Sequence, residues 1–116
     1  MNTDIYRISY WRAPPTDAAR YREAAACGFT VVPVPADTPE AGRQALDLCA
    51  ENDMQGIVLD PRIHRDLPHQ AGWEQIVAAV VHDYAAHPAL FGYYLTDEPS
   101  LNHFDALAQL TAAFKA

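Results

Sequence analysis

The sequence predicts an α/β fold, the N-terminal half of a TIM (β/α)8 barrel with four βα units and a parallel sheet in order 1-2-3-4. Four short runs of β-branched and aromatic residues alternate with four stretches of helical spacing. Their short connections imply right-handed βαβ units. The third observation is length: 116 residues give about 29 per unit, so eight units need about 232, near the roughly 250 of a complete barrel. The whole chain then reads as one half-barrel domain. An open doubly wound sheet is the rival architecture, but the turn Trp11-Arg12-Ala13-Pro14-Pro15-Thr16 has no glycine for a phosphate loop.

The first strand is predicted over residues 5–11, Ile-Tyr-Arg-Ile-Ser-Tyr-Trp, and stops at Ala13-Pro14-Pro15. Thr16 suits an N-cap with Asp17 in the first turn, and Gly28 sits where a glycine ends a helix, giving a first helix over about 17–27. Residues 29–32 form the second strand, closed by Pro33 and Pro35 because proline cannot donate to a ladder. Thr38 as N-cap, Pro39 at the first helical position and Glu40 behind it start a second helix. Ala41, Ala45, Leu48 and Cys49 form its apolar stripe and Asn52 its stop.

Residues 56–59 make a short apolar third strand ending at Asp60-Pro61, followed by a polar loop over residues 62–71. Trp73, Ile76, Val77, Val80 and Tyr84 recur at helical spacing until His87-Pro88, where the residue before proline is pushed out of the α region. Residues 90–96 form the fourth strand. The last helix carries Phe104, Leu107, Leu110 and Phe114 on one face and takes Asn102 as its cap.

Half the residues are hydrophobic and a fifth are charged, which is globular composition rather than disorder. The net charge of −7 argues against nucleic acid and against an anionic membrane, since both need a cationic surface. A neutral partner fits better. Cys27 and Cys49 are expected on buried helix faces, as small apolar residues without disulfide or zinc spacing. No run reaches the roughly 20 apolar residues of a membrane span and the start lacks an apolar signal region, so a soluble chain is expected.

In a barrel the active site lies where the strands end, here at Trp11, Pro33, Asp60 and the pair Asp97-Glu98. Carboxylates for proton transfer and a tryptophan face for a ring are a sugar-site inventory. Alternation along the fourth strand places Gly92, Tyr94, Thr96 and Glu98 on the barrel side and Phe91, Tyr93 and Leu95 toward the helices. Equally, Asp97 and Glu98 suit the positive end of the following helix dipole, and both readings stand. Arg62, two residues beyond Asp60, is placed to pair with it and make that acid structural. Asp60, His64 and His69 with Glu98 match no metal-ligand spacing, so no metal or other cofactor is expected.

The segment from His87 through Phe91-Gly92-Tyr93-Tyr94-Leu95-Thr96-Asp97-Glu98-Pro99 to Ser100 resembles the fourth-strand signature of retaining glycoside hydrolases with (β/α)8 barrels. The opening Ile8-Ser9-Tyr10-Trp11-Arg12-Ala13-Pro14-Pro15, with Gly28-Phe29-Thr30, is similar to bacterial barrel proteins of that superfamily. The resemblance implies hydrolysis of O-glycosidic bonds, with Glu98 as general acid/base, Asp97 orienting the sugar and Trp11 as a stacking platform, while Asp60 is a candidate substrate contact from its place at a strand end. It departs at Asp97, where the family's best-known members carry Asn; an ionised Asp97 accepts a bond from a sugar hydroxyl but cannot donate one. The family's nucleophile, at the end of strand seven, has no counterpart here. The implied partners are a carbohydrate and either the missing C-terminal half-barrel or a second copy meeting it through exposed strand edges. A non-catalytic carbohydrate-binding or assembly half-barrel is the alternative.

Overall fold

The computed structural model describes residue 9, residues 16–97 and residues 99–115. The first predicted strand, residues 5–11, therefore lies outside the described residues except for Ser9, and Trp11 and Glu98 also lie outside them. The observed order is α1 (Ala18–Ala26), β1 (Val31–Pro35), α2 (Pro39–Glu51), β2 (Gln55–Leu59), α3 (Trp73–Tyr84), β3 (Leu90–Tyr93) and α4 (Phe104–Lys115). Single 3-10 turns occupy Leu67–His69 and Leu101–His103.

Local chemistry accounts for the helix ends. Asp17, rather than Thr16, caps α1 by accepting the Ala19 N–H at 2.7 Å. Thr38 caps α2 through the Ala41 N–H at 3.1 Å, with Pro39 behind it, and Asn52 closes that helix by donating its side-chain amide to the Leu48 carbonyl at 2.8 Å. Helix α3 ends at Tyr84, before His87-Pro88. Ser100 and His103, not Asn102, form the capping box that leads into α4.

The three strands make one parallel sheet in order β1-β2-β3. This corrects the expected four-stranded half of a barrel: among the described residues the sheet has three strands and is open. The outer edge of β1 is poor in backbone donors. The Gln55 N–H donates to the Thr30 carbonyl and the Ala36 N–H to the Leu59 carbonyl, so the even-numbered residues of β1 aim their backbone groups at β2. Val31, Pro33 and Pro35 aim theirs the other way. Two of those three positions have no N–H, so on this side of β1 the backbone donor of Val31 alone remains among the three. The same geometry lets the prolines lie inside the strand instead of closing it, because the ladder to β2 never uses their nitrogens.

Paired residues share a face of the sheet, so Val32 lies beside Gly56 and Val34 beside Val58. Against this face pack Ala45, Leu46 and Cys49 of α2 and Val80 and Tyr84 of α3, all within 1 % of full burial. Each buried aliphatic side chain contributes about 1.5–3 kcal/mol. Gly56 is what lets α2 approach: a Cβ there would lie 2.5 Å from Val34 Cγ2 and 2.6 Å from Leu46 Cδ2. A second cluster, Leu67, Val77 and Leu110, ties the 3-10 turn of the long loop to α3 and α4.

Strand β3 differs from expectation in length and in alternation. Its pairing with β2 is irregular at Gly56/Ile57, where Gly56 faces Leu90 but Ile57 faces Gly92. Phe91 is the extra residue. Leu90, Tyr93 and Leu95 consequently all pack on the helix side, while Phe91, expected there, is 47 % exposed. The cysteines also divide: Cys49 is fully buried, but Cys27, at the α1 C-cap, is exposed.

Candidate functional site

Parallel strands aim their C-terminal ends at one side of a sheet, and ligands of open α/β folds bind outside those ends. Here that side holds a cavity of about 180 Å3 lined by Asp37, Leu59, Asp60, Pro61, Ile63 and Tyr94. Each strand contributes through the residues that follow it. Asp37 comes two residues after β1, Asp60 and Pro61 directly after β2, and Tyr94 directly after β3, where its N–H donates to the Val58 carbonyl at 2.9 Å.

Asp60 is 4 % exposed, and both its carboxylate oxygens are engaged. Oδ1 accepts the Arg62 backbone N–H at 2.9 Å and Nε at 3.0 Å, while Oδ2 accepts Arg62 Nη2 at 2.6 Å and the Tyr84 hydroxyl at 3.4 Å. Arg62 Nη2 also donates to Asp83 Oδ2 at 2.9 Å, and Arg43 lies 4.0 Å from Asp83 Oδ1. Burial alone would raise the Asp60 pKa. The hydrogen bonds from Arg62, its positive charge and the Tyr84 hydroxyl outweigh burial and hold the carboxyl below the ordinary aspartate value. The Tyr84 phenol is pushed up to about 12 by burial and by the Asp60 charge. Asp60 is thus ionised and neutralised in place, and it pins the loop after β2 to α3.

Of the residues singled out from the sequence, Asp60 borders the cavity with its carboxylate taken up by Arg62. Asp97 is an exposed residue four positions after β3, and its carbonyl accepts the Thr96 hydroxyl at 3.4 Å. Trp11 and Glu98 lie outside the described residues. Pro33 is inside β1, so the residue presented at that strand's end is Asp37. Sequence reasoning missed Asp37 because it ended the strand at the first proline. It missed Asp83 as a second acceptor for Arg62 and Tyr84 as a donor to Asp60 because they lie 21 and 24 positions from those partners, on a helix whose spacing marks only its buried face. His64 meets Gln70 at 3.3 Å rather than Asp60, and among the described residues no cluster of three or more His, Cys, Asp or Glu is placed to hold a metal ion. Among the same residues no helix is long and apolar enough to cross a membrane.

A larger groove of about 600 Å3 lies between α2 and the end of α3, lined by Arg43, Asp47, Ala50, Glu51, Asp83 and the Ala86-His87-Pro88 segment. His87 crosses it, with Nε2 2.7 Å from Asp47 Oδ1.

The open sheet overturns the glycoside hydrolase reading. An acid/base at the end of strand four and a nucleophile at the end of strand seven presuppose a closed barrel, and the three strands seen here do not form part of one. O-glycoside hydrolysis and the half-barrel alternative fall with that frame. No family model, no curated protein and no solved structure matches the chain.

Proposed function

We propose that this domain binds a small uncharged, hydroxylated molecule, with carbohydrate as the leading class, at the C-terminal ends of its parallel strands. The cavity bordered by all three strand ends carries this reading. Its volume of about 180 Å3 corresponds to roughly six waters at about 30 Å3 each, room for one small solute. Tyr94, Leu59 and Ile63 offer apolar surface, and Asp37, an exposed carboxylate, accepts hydrogen bonds from hydroxyls. The Asp60 charge is already matched by Arg62, so no cation is required. Asp37 and the net charge of −7 disfavour an anionic ligand. Asp97, following β3, is the exposed acid proposed to reach a ligand seated there.

The test is titration of the isotope-labelled protein with neutral monosaccharides and, separately, with their phosphates, following the amides of Asp37, Ile63 and Tyr94. Saturable shifts at these positions in the millimolar range, reduced in Asp37→Ala and weaker with the phosphates, are expected. Uniform or absent shifts with every sugar would end the proposal.

A further inference from the structure

The imidazole of His87 is fixed on both sides by groups that together specify its protonation. Nδ1 lies 3.1 Å from the backbone nitrogen of Ala89, which can only donate, so Nδ1 is an acceptor without a proton. Nε2, 2.7 Å from Asp47 Oδ1, therefore carries the hydrogen and donates it to the carboxylate. The ring is the neutral Nε2–H tautomer, and its side chain is only 13 % exposed.

Ala89 is 3 % exposed, and its carbonyl accepts the Gly56 N–H at 2.8 Å, the first link between β3 and β2. One imidazole thus bridges α2 and the residue by which β3 enters the sheet. A second proton on this ring would sit on Nδ1, facing the Ala89 N–H donor to donor, and would leave that buried N–H without an acceptor. The imidazolium gains only a stronger pair with Asp47, whose side chain is 67 % exposed and well hydrated.

We propose that His87 is a pH-sensitive latch: neutral, it holds the start of β3 against the sheet, and protonated, it releases that link. The charged groups that share its groove are Arg43, Asp47 and Glu51 on α2 and Asp83 on α3. The Ala89 contact makes the two states exclusive, because Nδ1 cannot both accept that N–H and carry a proton. The segment downstream of β3 carries Tyr94 and Asp97, so release would also disturb the strand ends.

Amide hydrogen exchange of Ala89 in the full chain, corrected for the intrinsic pH dependence of exchange, tests this between pH 8 and pH 5, the range over which histidines change charge. Nitrogen shifts of the His87 ring, recorded alongside, report its tautomer and charge. Nδ1 is expected to be unprotonated at pH 8, and protection of Ala89 is expected to fall about tenfold as the ring becomes charged. In His87→Asn the amide oxygen stands near the Nδ1 position and cannot titrate, so the step should vanish. A proton on Nδ1 at pH 8, constant protection while the ring titrates, or a step that survives in His87→Asn each overturns the latch.

Discussion

The two ends of the sheet are built by different means. At β1 and β2 the strands are five residues each, in unbroken register, and α2 sets Leu46 and Cys49 directly on Val34, Gly56 and Val58. At β3 the strand is four residues, its register slips beside Gly56, no residue of the strand is fully buried, and Phe114 of α4 stacks against Tyr93 with ring centroids 4.7 Å apart. The first end is held by close packing that tolerates no added volume. The second is held by a few replaceable contacts, a bulge and a histidine bridge. Local opening should therefore begin at β3 while β1, β2 and α2 persist.

The sharpest way to break this contrast is Leu46→Ala, which empties the contact between α2 and both long strands. A loss of about 2–5 kcal/mol in denaturant unfolding is expected, because a fully buried site cannot collapse around the cavity. A loss below 1 kcal/mol would mean that the α2 interface is not the rigid part.

Next in size is Arg62→Met. It leaves Asp60 buried without its countercharge, and about 3 kcal/mol should be lost, the low end for a buried pair because the Arg62 side chain is one-third exposed. The double variant Arg62→Met with Asp60→Asn should recover part of that, since the orphaned charge is gone.

The same pair predicts an acid response. The folded pKa of Asp60 is lowered, so its contribution to stability is present above the unfolded value near 3.9 and is lost as pH falls through the lower folded value. Between pH 5 and pH 2 the natural protein should lose more stability than Asp60→Asn, measured by urea unfolding at each pH. Parallel curves would remove Asp60 from the acid transition.

Smallest is Phe114→Leu, which keeps apolar volume but removes the tilted ring pair with Tyr93. About 1 kcal/mol is expected, with faster amide exchange along β3 and none of that change in β1 or β2. Exchange that rises equally in all three strands would show a single cooperative sheet and dissolve the comparison.

Much of the local structure was legible in the chain. Thr38-Pro39-Glu40 declares the start of α2, the spacing of Trp73, Ile76, Val77, Val80 and Tyr84 declares the buried side of α3, and Asp60-Pro61 declares the end of β2. These are readable because a cap, a helical period or a proline acts within a few residues of itself. Pairing of Asp60 with Arg62 was legible for the same reason, being two positions apart. Strand count and closure were not. Repetition of βα units is the same in an open sheet and in a barrel, and what distinguishes them is which backbone groups face the edge. Pro33 and Pro35 read as terminators in one dimension and become edge residues only once the Thr30 and Ala36 hydrogen bonds set the parity of β1. The bulge at Phe91, the convergence of Asp37, Asp60 and Tyr94 on one cavity, and the bridge from His87 to Asp47 across 40 positions belong to the tertiary structure alone. Each depends on contacts between elements far apart in the chain, where neither spacing nor composition leaves a local trace.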